Sequence, residues 1–292
     1  MTFLVKTLLS LLACLPAGGP YRIARWLAPT WMLLSPDKRR VATINIAACY
    51  PALPAAEQSV MLKESFVHYL CSILEAGRNW YWPIERLREL CVEFRGEELA
   101  NDSLASGDGV VALVPHFGAW EYLGMWAQQF PEFAIFFKPP AHEGLAKALL
   151  EKRRRGGAML LPATPSGLRQ LYAHIRSGKA AAVLPDQQPS TGQGRFAPFF
   201  GIPALTGVMA PRLIQKTRCR VLMCAGERLP GGHYRVHLLP VDAGIYSDDV
   251  DIALAALNRG VERCIAIDPA QYLWSYKRFR ARPEGVAPMY PL

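Results

Sequence analysis

From residue 109 onward the sequence alternates between short apolar runs and longer segments with helical periodicity, and this alternation limits the possible folds. The apolar runs are rich in Val, Ile and Leu, and each has the length of one buried strand. They lie at residues 110–114, 133–137, 158–161, 180–185, 219–224 and 234–239. The helical segments lie at residues 119–130, 143–155, 166–177, 206–217 and 250–268. Strands that alternate with helices predict an α/β domain, with a mixed or largely parallel sheet flanked by helices.

The first 34 residues combine apolar segments with nearby basic residues. An apolar run at residues 3–15 is interrupted by Lys6, and a second, aromatic-containing run spans residues 21–34. Both are shorter than the roughly 20 apolar residues of a membrane-spanning helix. Such segments beside basic residues are typical of an anchor lying on an anionic leaflet, although a buried helix pair has the same pattern. We predict a helical, membrane-facing anchor at 1–34 and a single α/β domain at 35–292.

The charge balance indicates an acidic partner. The chain has 33 Lys and Arg residues against 24 Asp and Glu residues, which gives a net charge of +9. An excess of this size is found in proteins that bind nucleic acid, anionic lipid or an acidic protein, and charge alone does not choose among them. Aromatic residues make up 10% of the chain, and many stand beside Lys or Arg, which fits a membrane surface at least as well as a nucleic-acid groove.

The cysteines and histidines give no indication of a metal, another cofactor or a disulfide framework. The seven cysteines are scattered and form no CxxC pair, so reduced thiols in a cytosol-facing protein are expected. No HExxH motif occurs, and no cluster of His and Cys has the spacing of metal ligands.

The segment after the strand predicted at 110–114 is the most informative for function. His116 follows this strand directly, at the edge of an open α/β sheet where ligands bind. Glu121 comes five residues later, and Gly118 between them permits a turn that brings the two side chains together. A carboxylate bonded to one imidazole nitrogen leaves the other nitrogen free to accept a proton. The pair therefore predicts a general base, with a packed histidine and an exposed glutamate as the alternative.

Two further segments carry polar residues into the same region. Asp186 and Gln187 follow the strand predicted at 180–185, so they are expected near His116, although a solvated turn capped by Asp186 is equally compatible. The tail at 269–285 interleaves aromatic residues with cations, which suits a lipid headgroup or a phosphate surface as well as a solvated basic face. These cations are Lys277, Arg278, Arg280 and Arg282.

Taken in order, these segments resemble the bacterial lipid A biosynthesis acyltransferases over nearly the whole chain. The matching motifs are Arg39-Arg40, Asn45-Ile46-Ala47-Ala48-Cys49-Tyr50-Pro51, Glu64-Ser65-Phe66, His116 with Glu121, Leu184-Pro185-Asp186-Gln187, Pro198-Phe199-Phe200-Gly201, Gln271-Tyr272-Leu273-Trp274 and Lys277-Arg278-Phe279. A histidine followed five residues later by an acid recurs in many glycerolipid acyltransferases. The later motifs in this order are more specific.

The resemblance implies that His116 is the general base and that Glu121 is the carboxylate that orients it. It also implies a set of residues that bind the substrates, including an arginine just before the strand at 158–161, for which Arg154 is the best match. The substrate-binding candidates are Arg154, Asp186, Gln187, Lys138, Lys277 and Arg278. The chain departs from many relatives at Lys138-Pro139 and at Gln188-Pro189-Ser190, which bears on acceptor identity and chain length more than on the reaction.

The resemblance further implies that a fatty acyl chain moves from acyl carrier protein to a hydroxyl of a lipid A precursor. The setting would be the cytoplasmic face of the inner membrane, with anionic lipid as a partner, no nucleic acid and no cofactor. A lysophospholipid or another glycolipid or secondary-metabolite acceptor is an alternative, and a hydrolase is another because water can replace the acceptor. A catalytically silent membrane-binding protein is a third alternative, against which the intact pair of His116 and Glu121 speaks.

Overall fold

The computed structural model describes residues 3–130, 132–137, 156–190 and 192–290. A seven-stranded sheet with the order β1-β9-β8-β2-β5-β3-β4 forms its centre, and a separate antiparallel hairpin joins β6 to β7. The strands are β1 Cys91–Arg95, β2 Val110–Leu113, β3 Ala134–Phe137, β4 Met159–Pro162, β5 Ala180–Val183, β6 Gly194–Phe199, β7 Ile202–Gly207, β8 Arg220–Arg228 and β9 Tyr234–Pro240. The run β8-β2-β5-β3-β4 is parallel, whereas β9 is antiparallel to β8 and parallel to β1. The predicted α/β class with a largely parallel sheet is confirmed.

Helices flank this sheet. They are α1 Phe3–Ala13, α2 Gly19–Leu34, α3 Pro36–Cys49, α4 Ala55–Leu74, α5 Ala76–Tyr81, α6 Ile84–Arg88, α7 Glu97–Ala105, α8 Trp120–Trp126, α9 Pro165–Arg176, α10 Met209–Thr217 and α11 Val250–Ile265. The predicted helix at 206–217 begins at Met209 because the preceding residues complete β7. The segment at 119–130 forms α8 and a short 3-10 turn. The helix predicted at 143–155 lies outside the described residues.

Both faces of the sheet are covered, which explains why its central strands are apolar throughout. Val111 and Leu113 of β2 belong to the core formed with α3, α4 and α9 to α11. Val110 belongs to the core on the opposite face, where it joins side chains of α6 and α8. A strand buried on both sides has no polar face, so it reads as a continuous apolar run rather than an alternating one.

The N-terminal helices pack on the domain and also present apolar side chains to solvent. Helix α2 lies against α4, and α1 lies against α5. Ala24 and Ala28 of α2 are buried, whereas Trp26 is 80% exposed and Leu33 is 70% exposed. Within the described ranges, the helices lack the combination of length and hydropathy that crossing a bilayer requires.

A buried ion-pair network joins the N-terminal helices to the sheet. Arg228 of β8 donates through Nε to both carboxylate oxygens of Glu75, at 3.0 and 3.1 Å. Arg78 donates to the same carboxylate at 3.0 Å and to the hydroxyl of Tyr234. All three charged side chains are less than 6% exposed, so each depends on the others for compensation of its buried charge. The network fixes the end of α4 and the start of α5 against β8.

Candidate active site

His116 and Asp186 meet at the carboxyl edge of the sheet because they follow two neighbouring parallel strands. Leu113 of β2 pairs in register with Val183 of β5, and each polar residue comes three positions after its strand partner. The ring Nδ1 of His116 lies 2.8 Å from Oδ1 of Asp186, and the backbone N–H of His116 donates to Oδ2 at 2.8 Å. One carboxylate therefore holds both the ring and the main chain of the histidine.

The second ring nitrogen of His116 faces an amide. Nε2 of His116 lies 3.0 Å from the side-chain Nε2 of Gln187, which is exposed. Both contacts fit one neutral tautomer, in which Nδ1 donates its proton to Asp186 and Nε2 accepts from the amide. Because Nε2 carries the lone pair, it is the nitrogen able to take a proton from a substrate.

Asp186 is buried and ionised beside the histidine. Its side chain is 2% exposed, compared with 15% for His116. Burial alone raises the pKa of Asp186, but attraction to His116 and the hydrogen bonds from its ring and backbone outweigh this effect. The buried guanidinium of Arg278 adds to the attraction, and the pKa of Asp186 lies below its usual value. The carboxylate is therefore charged at neutral pH and stabilises a protonated imidazole.

The carboxylate that contacts Nδ1 of His116 is that of Asp186, whereas the sequence predicts Glu121 as the orienting carboxylate. The register of β2 and β5 brings the carboxylate of a residue 70 positions away to 2.8 Å from this nitrogen. Glu121 lies in the first turn of α8, half-buried, and lines the same cavity as His116. Proximity along the sequence predicts Glu121 as the partner of His116, because the sequence does not indicate which strand lies next to β2.

The turn after His116 requires a glycine. Gly118 has a φ of 53°, in the left-handed region. A Cβ atom at this position would lie 2.0 Å from the carbonyl oxygen of Gly226 in β8, which is too close for any side chain. The N–H of Ala119 donates to this carbonyl at 2.7 Å, so the loop lies directly on β8. The glycine permits the sharp entry into α8 that leaves His116 at the sheet edge.

Residues 271–281, which we call the C-terminal strap, hold the main chain of the histidine loop. The N–H of Leu273 donates to the carbonyl of His116 at 3.1 Å, and the N–H of Gly118 donates to the carbonyl of Gln271 at 2.9 Å. The side chain of Gln271 is itself 3% exposed and bonds to the main chain of β8. The strap thus fixes the His116 loop from the side opposite β5.

The same strap holds the turn that contains Asp186. The hydroxyl of Tyr276 accepts the N–H of Gln188 at 2.8 Å, and the N–H of Ala281 donates to the side-chain oxygen of Gln188 at 2.9 Å. Asn45 of α3 fixes the strap by donating to the carbonyls of Trp274 and Tyr276, at 2.7 and 2.9 Å. Sequence reasoning gave these residues no role in the site, because irregular segments carry no periodicity that assigns their contacts.

A cavity of about 570 Å³ opens beside His116 and continues along one face of the sheet. Its walls at the far end include Val110 and Ala180, which begin β2 and β5. His116 lies six positions after Val110, and an extended chain of that length spans about 20 Å. The walls between the two ends are almost entirely apolar. They include Ala112, Ala182, Leu123, Ile135, Leu222 and Cys224. The shape and the lining suit a long, narrow apolar ligand.

The other predicted binding residues are placed differently. Arg278 is 2% exposed and donates to the carbonyl of Leu205 at 2.7 Å and to the hydroxyl of Thr206 at 2.8 Å. Its donors are directed into the protein, so it supports the strap and Asp186 from behind and does not line the described part of the cavity. Lys277 is exposed but also lies outside that lining. Lys138 and Arg154 lie outside the described residues.

Comparison with known proteins identifies the class to which this fold and site belong. Residues 1–281 match the family model described as bacterial lipid A biosynthesis acyltransferase. The match covers nearly all of the sequence, and the chain belongs to this family.

Individual relatives agree with this assignment. The chain is 24% identical to the lipid A biosynthesis lauroyltransferase of Escherichia coli K12 over 294 residues, which cover 99% of this chain and 94% of the relative. It is 26% identical to the lipid A biosynthesis palmitoleoyltransferase of the same strain, over 87% of this chain and 83% of the relative. For the lipid A biosynthesis myristoyltransferase of that strain, the identity is 26% over 86% of this chain and 78% of the relative. The names of these three relatives specify different acyl chains.

Proposed function

We propose that the protein transfers a fatty acyl chain from a thioester on acyl carrier protein to a hydroxyl of a lipid A precursor. One observation carries this proposal: a histidine oriented by a buried carboxylate stands where a long apolar cavity opens. The cavity accommodates the acyl chain, and its opening leaves the thioester carbonyl beside His116. The net charge of +9 supports an acidic carrier protein as the donor. Membership of the family supports the lipid A precursor as the acceptor.

His116 acts as the general base in this scheme. Its Nε2 takes the proton of the acceptor hydroxyl as that oxygen attacks the thioester carbonyl, and Asp186 stabilises the resulting imidazolium. The tetrahedral intermediate then breaks its carbon–sulfur bond, and the departing thiolate takes the proton from Nε2. Gln187, whose amide lies 3.0 Å from Nε2, donates to the oxyanion. Glu121 lines the same cavity as His116.

Direct transfer fits the site better than an acyl-enzyme intermediate. Cys224 is the one thiol in the described lining of the cavity. Burial raises the pKa of this thiol to about 12, so it is protonated and poorly nucleophilic at neutral pH. The acceptor hydroxyl, activated by His116, is therefore the nucleophile.

The proposed function is tested with the purified protein, lipid A precursor and a series of acyl carrier protein thioesters. The expected product, identified by mass spectrometry, is a precursor that has gained one acyl chain in ester linkage to a hydroxyl. Transfer to a lysophospholipid with none to the lipid A precursor would contradict the proposed acceptor. Release of free fatty acid alone would favour a hydrolase.

Gly124 of α8 is expected to set the width of the cavity. It lines the cavity in the interior of a helix, where a glycine costs about 1 kcal/mol relative to alanine. A Cβ here would meet only Cδ1 of Ile135, at 3.7 Å, so packing does not require the glycine. We expect Gly124→Leu to lower kcat/KM for long acyl donors about tenfold relative to short ones. The leucine side chain would exclude about two methylenes of the acyl chain from the cavity, and each buried methylene contributes about 0.8 kcal/mol to binding.

The Gly124 prediction is measured as kcat/KM across donors of increasing chain length. Gly124→Ala is the matched control, because one methyl group fits the available space and should leave the length preference unchanged. An identical length profile for wild type and a folded Gly124→Leu protein would show that the acyl chain lies elsewhere.

We further propose that α2 attaches the protein to an anionic membrane surface. Trp26 and Leu33 are seven residues apart, which places them on one face of the helix, and both are largely exposed. Arg22 and Arg25 beside them are also exposed. A large aromatic side chain and a leucine flanked by arginines are typical of a helix that lies in the interface of an anionic leaflet. Membership of the lipid A acyltransferase family supports the cytoplasmic face of the inner membrane as the proposed location of this surface.

The membrane proposal predicts weaker binding when charge enters this face. The variant with Trp26→Asp and Leu33→Asp should sediment with anionic vesicles at least tenfold less than wild type, with an unchanged unfolding temperature. Ile252→Asp is the control, because Ile252 is 50% exposed on α11 and the change adds the same kind of charge elsewhere. Equal sedimentation of wild type and the double variant would place the membrane contact on another surface.

A further inference from the structure

Arg280 lies at the polar end of the cavity, and the proposed reaction gives it no role. Around the opening, the lining changes from apolar to polar, with Gln187, Gln188, Ser190, Gln193 and Tyr276 beside His116. Arg280 also lines this opening, and it is the one Lys or Arg that the described residues contribute to the cavity. The positive charge therefore lies at the same end of the cavity as the proposed base.

The guanidinium of Arg280 is used differently from those of four exposed arginines elsewhere in the domain. Those four are paired with carboxylates, at distances between 2.6 and 3.2 Å. These pairs are Arg195 with Asp251, Arg218 with Asp248, Arg220 with Asp108 and Arg259 with Asp242. Within the described part of the chain, the guanidinium of Arg280 has no hydrogen bond or ion pair. Its five N–H donors are available to a ligand at the opening.

The backbone that carries Arg280 is nevertheless fixed relative to the base. The next residue, Ala281, donates its N–H to the side chain of Gln188 at 2.9 Å. Gln188 in turn donates its own N–H to the hydroxyl of Tyr276 at 2.8 Å. Since Gln188 lies two residues after Asp186, these bonds tie both ends of the strap segment around Arg280 to the turn that orients His116. An arginine with a fixed backbone and unpaired donors has the features of a binding residue.

We propose that Arg280 binds a phosphate ester of a substrate while the acyl group occupies the cavity. This inference rests on the proposed function, because both substrates of that reaction carry phosphate groups. The donor carries one on the phosphopantetheine arm of the carrier protein, and the lipid A precursor carries them on its sugars. A planar guanidinium matches a phosphate through two parallel hydrogen bonds, and it remains charged at every physiological pH.

The position of Arg280 separates it from its neighbours in the strap. Arg278 is buried and bonded to β7, so it has no donor directed toward the opening. Lys277 is exposed but does not line the described cavity. The three basic residues therefore have different expected effects, although they lie within four positions of one another. This difference supplies a matched control.

The test measures dissociation constants by titration calorimetry for wild type, Arg280→Gln, Arg280→Lys and Lys277→Gln. The donor probes are dodecanoyl-phosphopantetheine and dodecanoyl-pantetheine, which differ only in the phosphate. The acceptor probes are lipid A precursor and the same lipid after removal of its phosphates by a phosphatase, in one detergent. Binding is read directly, so the result does not depend on whether the protein proves active in the transfer assay.

We expect Arg280→Gln to weaken binding of one phosphorylated probe about tenfold and to leave its phosphate-free counterpart within twofold of wild type. Weaker binding of the phosphorylated donor assigns Arg280 to the carrier arm, and weaker binding of the phosphorylated acceptor assigns it to the lipid. Arg280→Lys should retain part of the affinity, and Lys277→Gln should match wild type. Equal affinities of Arg280→Gln and wild type for both phosphorylated probes would overturn the inference. So would an equal loss for probes with and without phosphate.

Discussion

Replacement of His116 by alanine is expected to lower kcat for acyl transfer by about 10² to 10⁴, which is the usual contribution of a general base. The fold should persist, because the side chain lies at a sheet edge outside the two main cores and the backbone N–H still bonds Asp186. Binding of the acyl donor should stay close to wild type, since no apolar wall of the cavity changes. The measurement is single-turnover transfer to lipid A precursor at saturating donor.

Two further variants separate catalysis from stability in this experiment. His116→Gln keeps a polar side chain beside the buried carboxylate and should be as inactive as the alanine variant, with a smaller loss of stability. His233→Ala changes a half-buried histidine outside the described cavity lining and should leave activity unchanged. A folded His116→Ala protein that transfers acyl chains within a few-fold of wild type would place the base elsewhere.

Replacement of Asp186 by asparagine is expected to lower kcat by about 100-fold or more, close to the loss for the histidine. An amide carries no charge to stabilise the imidazolium, and its NH₂ group favours the tautomer in which Nδ1 lacks its proton. Glu121→Gln is expected to lower kcat by no more than about tenfold, because the carboxylate that contacts Nδ1 is that of Asp186. The measurement is the ratio of kcat between the two variants under identical conditions.

The reverse order of these effects would support the assignment made from the sequence. If Glu121→Gln lost most of the activity and a folded Asp186→Asn protein kept it, Glu121 would be the orienting group. Thermal unfolding of both variants is the control. Asp186 is buried and Glu121 is half-buried, so a loss of activity counts only when the protein remains folded.

The sequence predicted the edge of the sheet at which the candidate site lies. It did not predict which carboxylate contacts His116. His116 and Asp186 each follow an apolar run, and the general rule for parallel sheets brings such strand ends to one edge. The adjacency of β2 and β5 is a long-range property set by packing of the whole domain, which periodicity along the chain does not encode. Glu121, five residues from the histidine, was therefore favoured over a carboxylate 70 residues away.

Arg278 and Arg280 show a second limit of sequence reasoning. The strap alternates aromatic and basic residues, but it forms neither a helix nor a strand over most of its length, so no period assigns a face to each side chain. Burial of Arg278 depends on the hairpin β6–β7, which itself was not predicted. Its strands contain Pro198 and Pro203, and proline argues against a strand when the partner is unknown.

The orientation of His116 is tested most directly by nitrogen NMR of the protein labelled with ¹⁵N-histidine. We expect the His116 ring to carry its proton on Nδ1 in wild type and in Glu121→Gln, and to lose this preference in Asp186→Asn. A ring that keeps the proton on Nδ1 in Asp186→Asn and loses it in Glu121→Gln would contradict the role of Asp186.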